Sequence, residues 1–169
     1  HAENHECISW LTDKLESAGK THTKYHSHAR PDIIEAEATN RAISLSRLTN
    51  TPILFVHISS KEAIDAIRNA QNKGYKILAE TCPQYLFLTK DDLDQEDFEG
   101  AKFVCSPPPR TKDDQNEVWK AIQNGTFDVF SSDHCPFYFK GKQGKDLKGT
   151  NASFSQIPNG CPGLETRLP

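Results

Sequence analysis

Apolar positions follow two rhythms along this chain, and the switches between them mark out its elements. In residues 6–18, Ile8, Leu11 and Leu15 fall at helical spacing, and Gly19 follows as a stop. Residues 20–30 are polar and histidine-rich, which predicts a loop. Pro31 then takes an N1-type position that opens a second helix, where its missing N–H costs nothing. Ile34, Ala38, Ala42, Leu45 and Leu48 line one face of that helix, and Asn50-Thr51-Pro52 ends it. Residues 53–58, ILFVHI, are a continuous apolar run of strand length, the pattern of a parallel strand buried on both faces. Ser59 and Glu62 have the spacing of a capping box, ahead of a helix over 61–73 with Ile64 and Ile67 inward and Gly74 as its stop. Residues 75–81 read as the next strand. The acidic stretch 91–100 reads as a short helix or loop, and 103–105 as a brief extended piece broken by Pro107-Pro108-Pro109. A helix over 111–123 carries Val118, Trp119 and Ile122 on its apolar side; Trp10 and Trp119 are both expected in the core. Residues 127–131 are the last clear strand, and the Gly- and Lys-rich stretch 140–151 is expected to be a flexible surface loop.

Helices alternating with strands imply an α/β fold with a parallel sheet. Neither G-x-G-x-x-G nor G-x-x-x-x-G-K-[ST] occurs, so nucleotide-binding layouts lose weight. The 169 residues suffice for one domain with a core, and 36% hydrophobic with 25% charged residues is ordinary for a soluble globular chain. A net charge of −3 gives no reason to expect nucleic acid or an anionic membrane as partner. No apolar run approaches the roughly 20 residues of a spanning helix. The five cysteines, Cys7, Cys82, Cys105, Cys135 and Cys161, are odd in number and widely spaced. That argues against a disulfide framework or a zinc finger and for a reducing, cytoplasmic setting. Methionine is absent, residue 1 is a histidine, and the chain stops at Thr166-Arg167-Leu168-Pro169. Both ends are expected to be cuts from something longer.

Chemistry gathers where strands end. His57 ends ILFVHIS, Glu80-Thr81-Cys82 ends YKILAETC, and Asp133-His134 ends FDVFSSDH. His1 stands just before a helix and reads as the end of an upstream strand. In a parallel barrel these ends share one face, where active sites sit. Two histidines and an aspartate meeting there make the N/O ligand set that zinc favours. The intervals, 56 residues from His1 to His57 and 76 from His57 to Asp133, suit strands n, n+1 and n+3 at about 30 residues per unit. Taken singly, His57 reads as well as a hydrogen-bonded structural residue and Asp133 as a helix N-cap. Three other features carry less. His26-Ser27-His28 sits in a polar loop with no strand before it, no G-x-S-x-G elbow is present, and nothing in sequence is placed to activate Cys135 as a nucleophile. His5, at a helix start, is expected to face solvent.

Six segments then carry a resemblance: HAENHE (1–6), PILFVHIS (52–59), AETCPQYLFLT (79–89), FVCSPPPR (103–110), SSDHCPF (131–137) and IPNGCPGLETRLP (157–169). Together, and in this order, they resemble the cyclic-amidase branch of the metal-dependent amidohydrolases, the dihydropyrimidinase and D-hydantoinase family. The resemblance implies a (β/α)8 TIM barrel of which residues 1–169 form a partial catalytic domain, about strands 5–8. It implies two zinc ions per subunit, with His1 and His57 on one and Asp133 on the other. Asp133 is then also the catalytic acid–base group. Ser106 and Asn159 match positions whose main chain binds the amide edge of the substrate. The implied reaction is hydrolysis of a dihydropyrimidine or 5-substituted hydantoin to an N-carbamoyl amino acid by a zinc-bridged hydroxide, in a homotetramer when full length. The family's first-strand histidine pair, bridging lysine and oxyanion tyrosine match nothing here, so the isolated stretch is expected to be inactive. Allantoinases, dihydroorotases, the non-catalytic collapsin response mediators and a metal-free α/β binding module are the alternatives.

Overall fold

The structure is a computed structural model that describes residues 1–133, apart from the side chains of residues 97 and 98. Expectations for Cys135, Asn159 and the 140–151 stretch lie outside the described residues.

Among the described residues nine elements follow one another: α1 (His5–Ser17), α2 (Tyr25–Ala29), α3 (Asp32–Thr49), β1 (Ile53–Phe55), α4 (Lys61–Asn72), β2 (Ile77–Thr81), α5 (Gln84–Phe87), α6 (Lys112–Gln123) and β3 (Val129–Phe130), with 3-10 turns at Lys90–Leu93 and Glu96–Phe103 between α5 and α6. The three strands form a parallel sheet in the order β1-β2-β3, so order along the sheet equals order along the chain. Ile53 pairs with Ile77 and Phe55 with Ala79; Glu80 pairs with Val129 and Thr81 with Phe130.

Because side chains alternate along a strand, one face of the sheet takes Ile53, Phe55, Ile77 and Ala79 into a core with Ile64, Ile67, Val118 and Ala121. Leu54 and Leu78 face the other way and stay 42% and 45% exposed. The expectation of a strand buried on both faces is thus corrected: among the described residues only one face is covered.

Local chemistry sets the helix ends. Asn4 caps α1 by accepting from the Cys7 N–H at 3.2 Å. Thr111 and Asp114 form a reciprocal capping box at the start of α6. The cap of α4 is Ser60, whose hydroxyl accepts from Ala63 N–H; Ser59, the expected cap, is engaged elsewhere. Pro31 is the cap of α3 rather than its first residue. The polar stretch 20–30, expected to be a loop, contains α2, and His26 on it is 2% exposed.

Two further expectations fail. Leu45 and Leu48 are in phase with Ile34 on α3, yet they lie outward while Thr39 and Ile43 are buried. α3 packs along α4, and that neighbour, not the mean apolar stripe, selects the buried face of its second half. Trp10 is 62% exposed, with Lys14 Nζ 4.9 Å above its ring, and Trp119 is 41% exposed. Trp119 packs its edge on Phe87 and donates its indole N–H to the Leu86 carbonyl, covering the surface without entering the core. Among the described residues, no helix is long and apolar enough to cross a membrane.

Candidate active site

All three strands deliver their carboxyl ends to one rim, and the ladder continues past the strands to hold it. Ile58 N–H donates to the Glu80 carbonyl at 2.9 Å, and Ser131 N–H to the Thr81 carbonyl at 3.3 Å. Side chains add cross-ties: the Thr81 hydroxyl donates to the Ile58 carbonyl at 2.8 Å, and the Ser131 hydroxyl to the Glu80 carboxylate at 2.9 Å.

Two sequence-expected residues sit on this rim in the same unusual conformation. His57, two residues beyond β1, and Asp133, three beyond β3, both have φ of +45°. Side-chain-bearing residues pay for that left-handed region in steric contact, and such strain gathers at functional sites.

His1 reaches the same place. Its Nδ1 stands 2.6 Å from His57 Nε2, with the ring centroids 4.7 Å apart. Between neutral imidazoles one nitrogen donates and the other accepts. His57 is 4% exposed, and its Nδ1 has no hydrogen-bond partner. Burial lowers its pKa below the usual imidazole value, while the Asp133 carboxylate pulls the other way. Near neutral pH the ring is therefore uncharged, the form that binds metals.

The donor set suits a cation. Two imidazole nitrogens converge on one point, and a tetrahedral cation with metal–nitrogen bonds of about 2.0–2.1 Å would hold them roughly 3.3 Å apart. A small opening of the pair would admit the ion. Among the described residues no ready-made group of three His, Cys, Asp or Glu ligands surrounds them.

Ser106, the expected substrate contact, is exposed at the head of a buried stretch running from Pro107 to Arg110. Its loop is anchored from below. His26 Nε2 lies 2.9 Å from the Cys105 carbonyl and 3.4 Å from the Ser106 hydroxyl, and the Tyr85 hydroxyl donates to the Pro107 carbonyl at 2.9 Å. Burial, with Arg30 and Arg110 nearby, pushes the His26 pKa down to about 3, so the ring is neutral and Nε2–H donates to Cys105. The expectation that His26 belongs to an idle polar loop is corrected: it is an internal brace of the Ser106 loop. His5 is exposed, as expected. Cys82, at the end of β2, is fully buried; desolvation raises its thiol pKa to about 12, which makes it inert.

Sequence reasoning missed Glu35, Ser59 and Arg110, all buried at this rim. One signal was present: Glu35 interrupts the apolar run Ile33-Ile34 and Ala36, an acid on a face that should be hydrophobic.

No family model matches the chain. It is 51% identical over 168 residues to a D-hydantoinase of Rhizobium radiobacter and 48% identical to one of Ralstonia pickettii. Each alignment covers 99% of this chain and 36% of the relative, so the chain spans little more than a third of those proteins. Among solved structures, the dihydropyrimidinase of Brevibacillus agri NCHU1002 superposes with a TM-score of 0.86 at 42% identity, over 99% of this chain and 35% of that one. A dihydroorotase from Campylobacter jejuni matches at a TM-score of 0.58 and 17% identity, a likeness of fold alone. Along the third of those enzymes that it spans, this chain is similar in sequence and in fold to the D-hydantoinases and dihydropyrimidinases.

Proposed function

We propose that the protein carrying this chain hydrolyses the cyclic amide bond of 5-substituted hydantoins or dihydropyrimidines, releasing N-carbamoyl amino acids. The observation that carries this reading is the approach of His1 Nδ1 to His57 Nε2, on the rim that also bears Asp133, in a chain 51% identical to a D-hydantoinase. In this reading the sheet is one arc of a (β/α)8 barrel, residues 1–169 belong to one catalytic domain, and the protein is a cytoplasmic homotetramer.

His1 and His57 would hold one zinc ion and Asp133 a second. Bound zinc would supply Lewis acidity and lower the pKa of water at neutral pH. Asp133 would accept a proton from the attacking water and return it to the leaving ring nitrogen as the amide C–N bond breaks. Its strained backbone fixes the carboxylate for that transfer, and its exposure leaves it open to substrate. Main-chain groups at Ser106 and Asn159 would orient the amide edge of the ring. The higher identity to D-hydantoinases, against 29% for an L-hydantoinase of Arthrobacter aurescens, favours D-configured hydantoins among the 5-substituted substrates.

The test is substrate profiling of the longest natural polypeptide that carries this sequence, with dihydrouracil against D- and L-5-substituted hydantoins. Hydrolysis that disappears in Asp133→Asn is the expected result. A zinc-free wild type without turnover would instead fit a non-catalytic scaffold and overturn the reading.

A further inference from the structure

Between the His57 turn and the Ser106 loop lies a buried polar relay that no step above uses. Glu35, on α3, is 1% exposed. Its carboxylate accepts from the Ser59 N–H at 3.0 Å, the Ser60 N–H at 2.8 Å and the Ser59 hydroxyl at 3.0 Å. Arg110 is 7% exposed. Its Nε donates to the Ser59 hydroxyl at 3.0 Å, and its Nη1 donates to the Arg30 carbonyl. Its Nη2 lies 3.7 Å from Glu35 and has no hydrogen-bond partner. Ser59 thus gives its one hydroxyl proton to Glu35 and a lone pair to Arg110. Arg30 in turn pairs with Glu3.

Stability alone does not call for this arrangement, because well-packed apolar residues often replace a buried ion pair without loss. Position is more telling. Ser59 is two residues beyond His57, Glu3 two beyond His1, and Arg110 four beyond Ser106. At the His57 end the relay grips the backbone itself; Arg110 and Glu3 tie it by their side chains to the segments that carry Ser106 and His1. Glu35 fixes two successive N–H groups just after the left-handed His57, where the backbone must be held against relaxation.

The geometry points to Glu35 and Arg110 as positioning residues that set the metal-binding turn at His57 in register with the substrate loop at Ser106. This rests on the function proposed above. Neither residue touches the reacting atoms. They act through Ser59, so loss of the relay should loosen metal and substrate together.

Three variants test it in the longest natural polypeptide carrying this sequence: Glu35→Gln, Ser59→Ala and Arg110→Lys. Zinc affinity by chelator competition, KM and kcat for dihydrouracil, and the melting temperature of the zinc-free protein are measured for each. Ser59→Ala removes a single oxygen and decides the matter if the charge variants fail to fold. Its expected result is zinc binding weakened about tenfold or more, with KM raised several-fold. The Ser59→Ala/Arg110→Lys pair should cost no more than the larger single change, because both cut one link. Lower melting temperatures with wild-type zinc affinity and KM would overturn the inference and leave a merely structural relay. A wild type that neither binds zinc nor turns over would overturn the function itself, and it would show in that arm alone.

Discussion

The two ends of the sheet are made of opposite material. At the amino end, left-handed backbone falls on Asn50, Gly74 and Gly125, residues that tolerate it and close helices α3, α4 and α6. The side chains there lie on the surface around a cleft of about 540 Å3, where the Arg47 guanidinium sits 4.6 Å from the Tyr75 ring centre. At the carboxyl end, left-handed backbone falls on His57 and Asp133, and charged groups are buried with tailored partners. One end obeys local propensity; the other departs from it. In a parallel α/β fold such departures at the carboxyl rim are what a functional site calls for, and the function proposed above rests there.

The comparison breaks first at Arg110. Arg110→Ala leaves Glu35 buried without its counter-charge and should cost about 3–5 kcal/mol. Urea unfolding measures this, and a loss below about 1 kcal/mol would make the two ends equivalent.

His26 sharpens it through pH. Its pKa of about 3 in the fold, against about 6.5 unfolded, means that folding demands the neutral ring. The resulting stability is complete above pH 6.5 and falls as the pH drops toward 3. Between pH 6.5 and 5 the loss should be about 2 kcal/mol. His26→Gln keeps an N–H for the Cys105 carbonyl and removes the titration. The difference between variant and wild type across that window isolates the group, and parallel curves would contradict the assignment.

Arg47→Ala, at the amino end, should cost about 0.5–1 kcal/mol, the worth of an exposed cation–π contact. Leu48→Lys, at a position 81% exposed, should change unfolding by less than about 0.5 kcal/mol. Larger losses at either position would mean that the surface at that end is buried against something.

How much of this could be read in the sequence depends on the range of the interaction. The α/β order and the strands at 53–58, 75–81 and 127–131 followed from local periodicity, though each strand is shorter than its apolar run. The place of His57 and Asp133 on one rim was legible because strand ends in a parallel fold are equivalent by construction. Helix α2 was not, since five residues, YHSHA, show no apolar period, and His26 is buried by the distant Cys105–Pro107 loop. Ser59 looked like a cap because S-x-x-E is a local rule; a contact 24 residues away with Glu35 claimed it instead. The Glu35–Arg110 pairing spans most of the described chain, and no spacing rule reaches that far.

The claim that the rim is a metal centre is tested most directly by zinc content. The measurement is metal analysis of the longest natural polypeptide carrying this sequence, beside its His57→Asn variant. About two zinc ions per chain in the wild type, with at least one lost in the variant, is the predicted result; a metal-free wild type, or a variant that keeps its full complement, would contradict it.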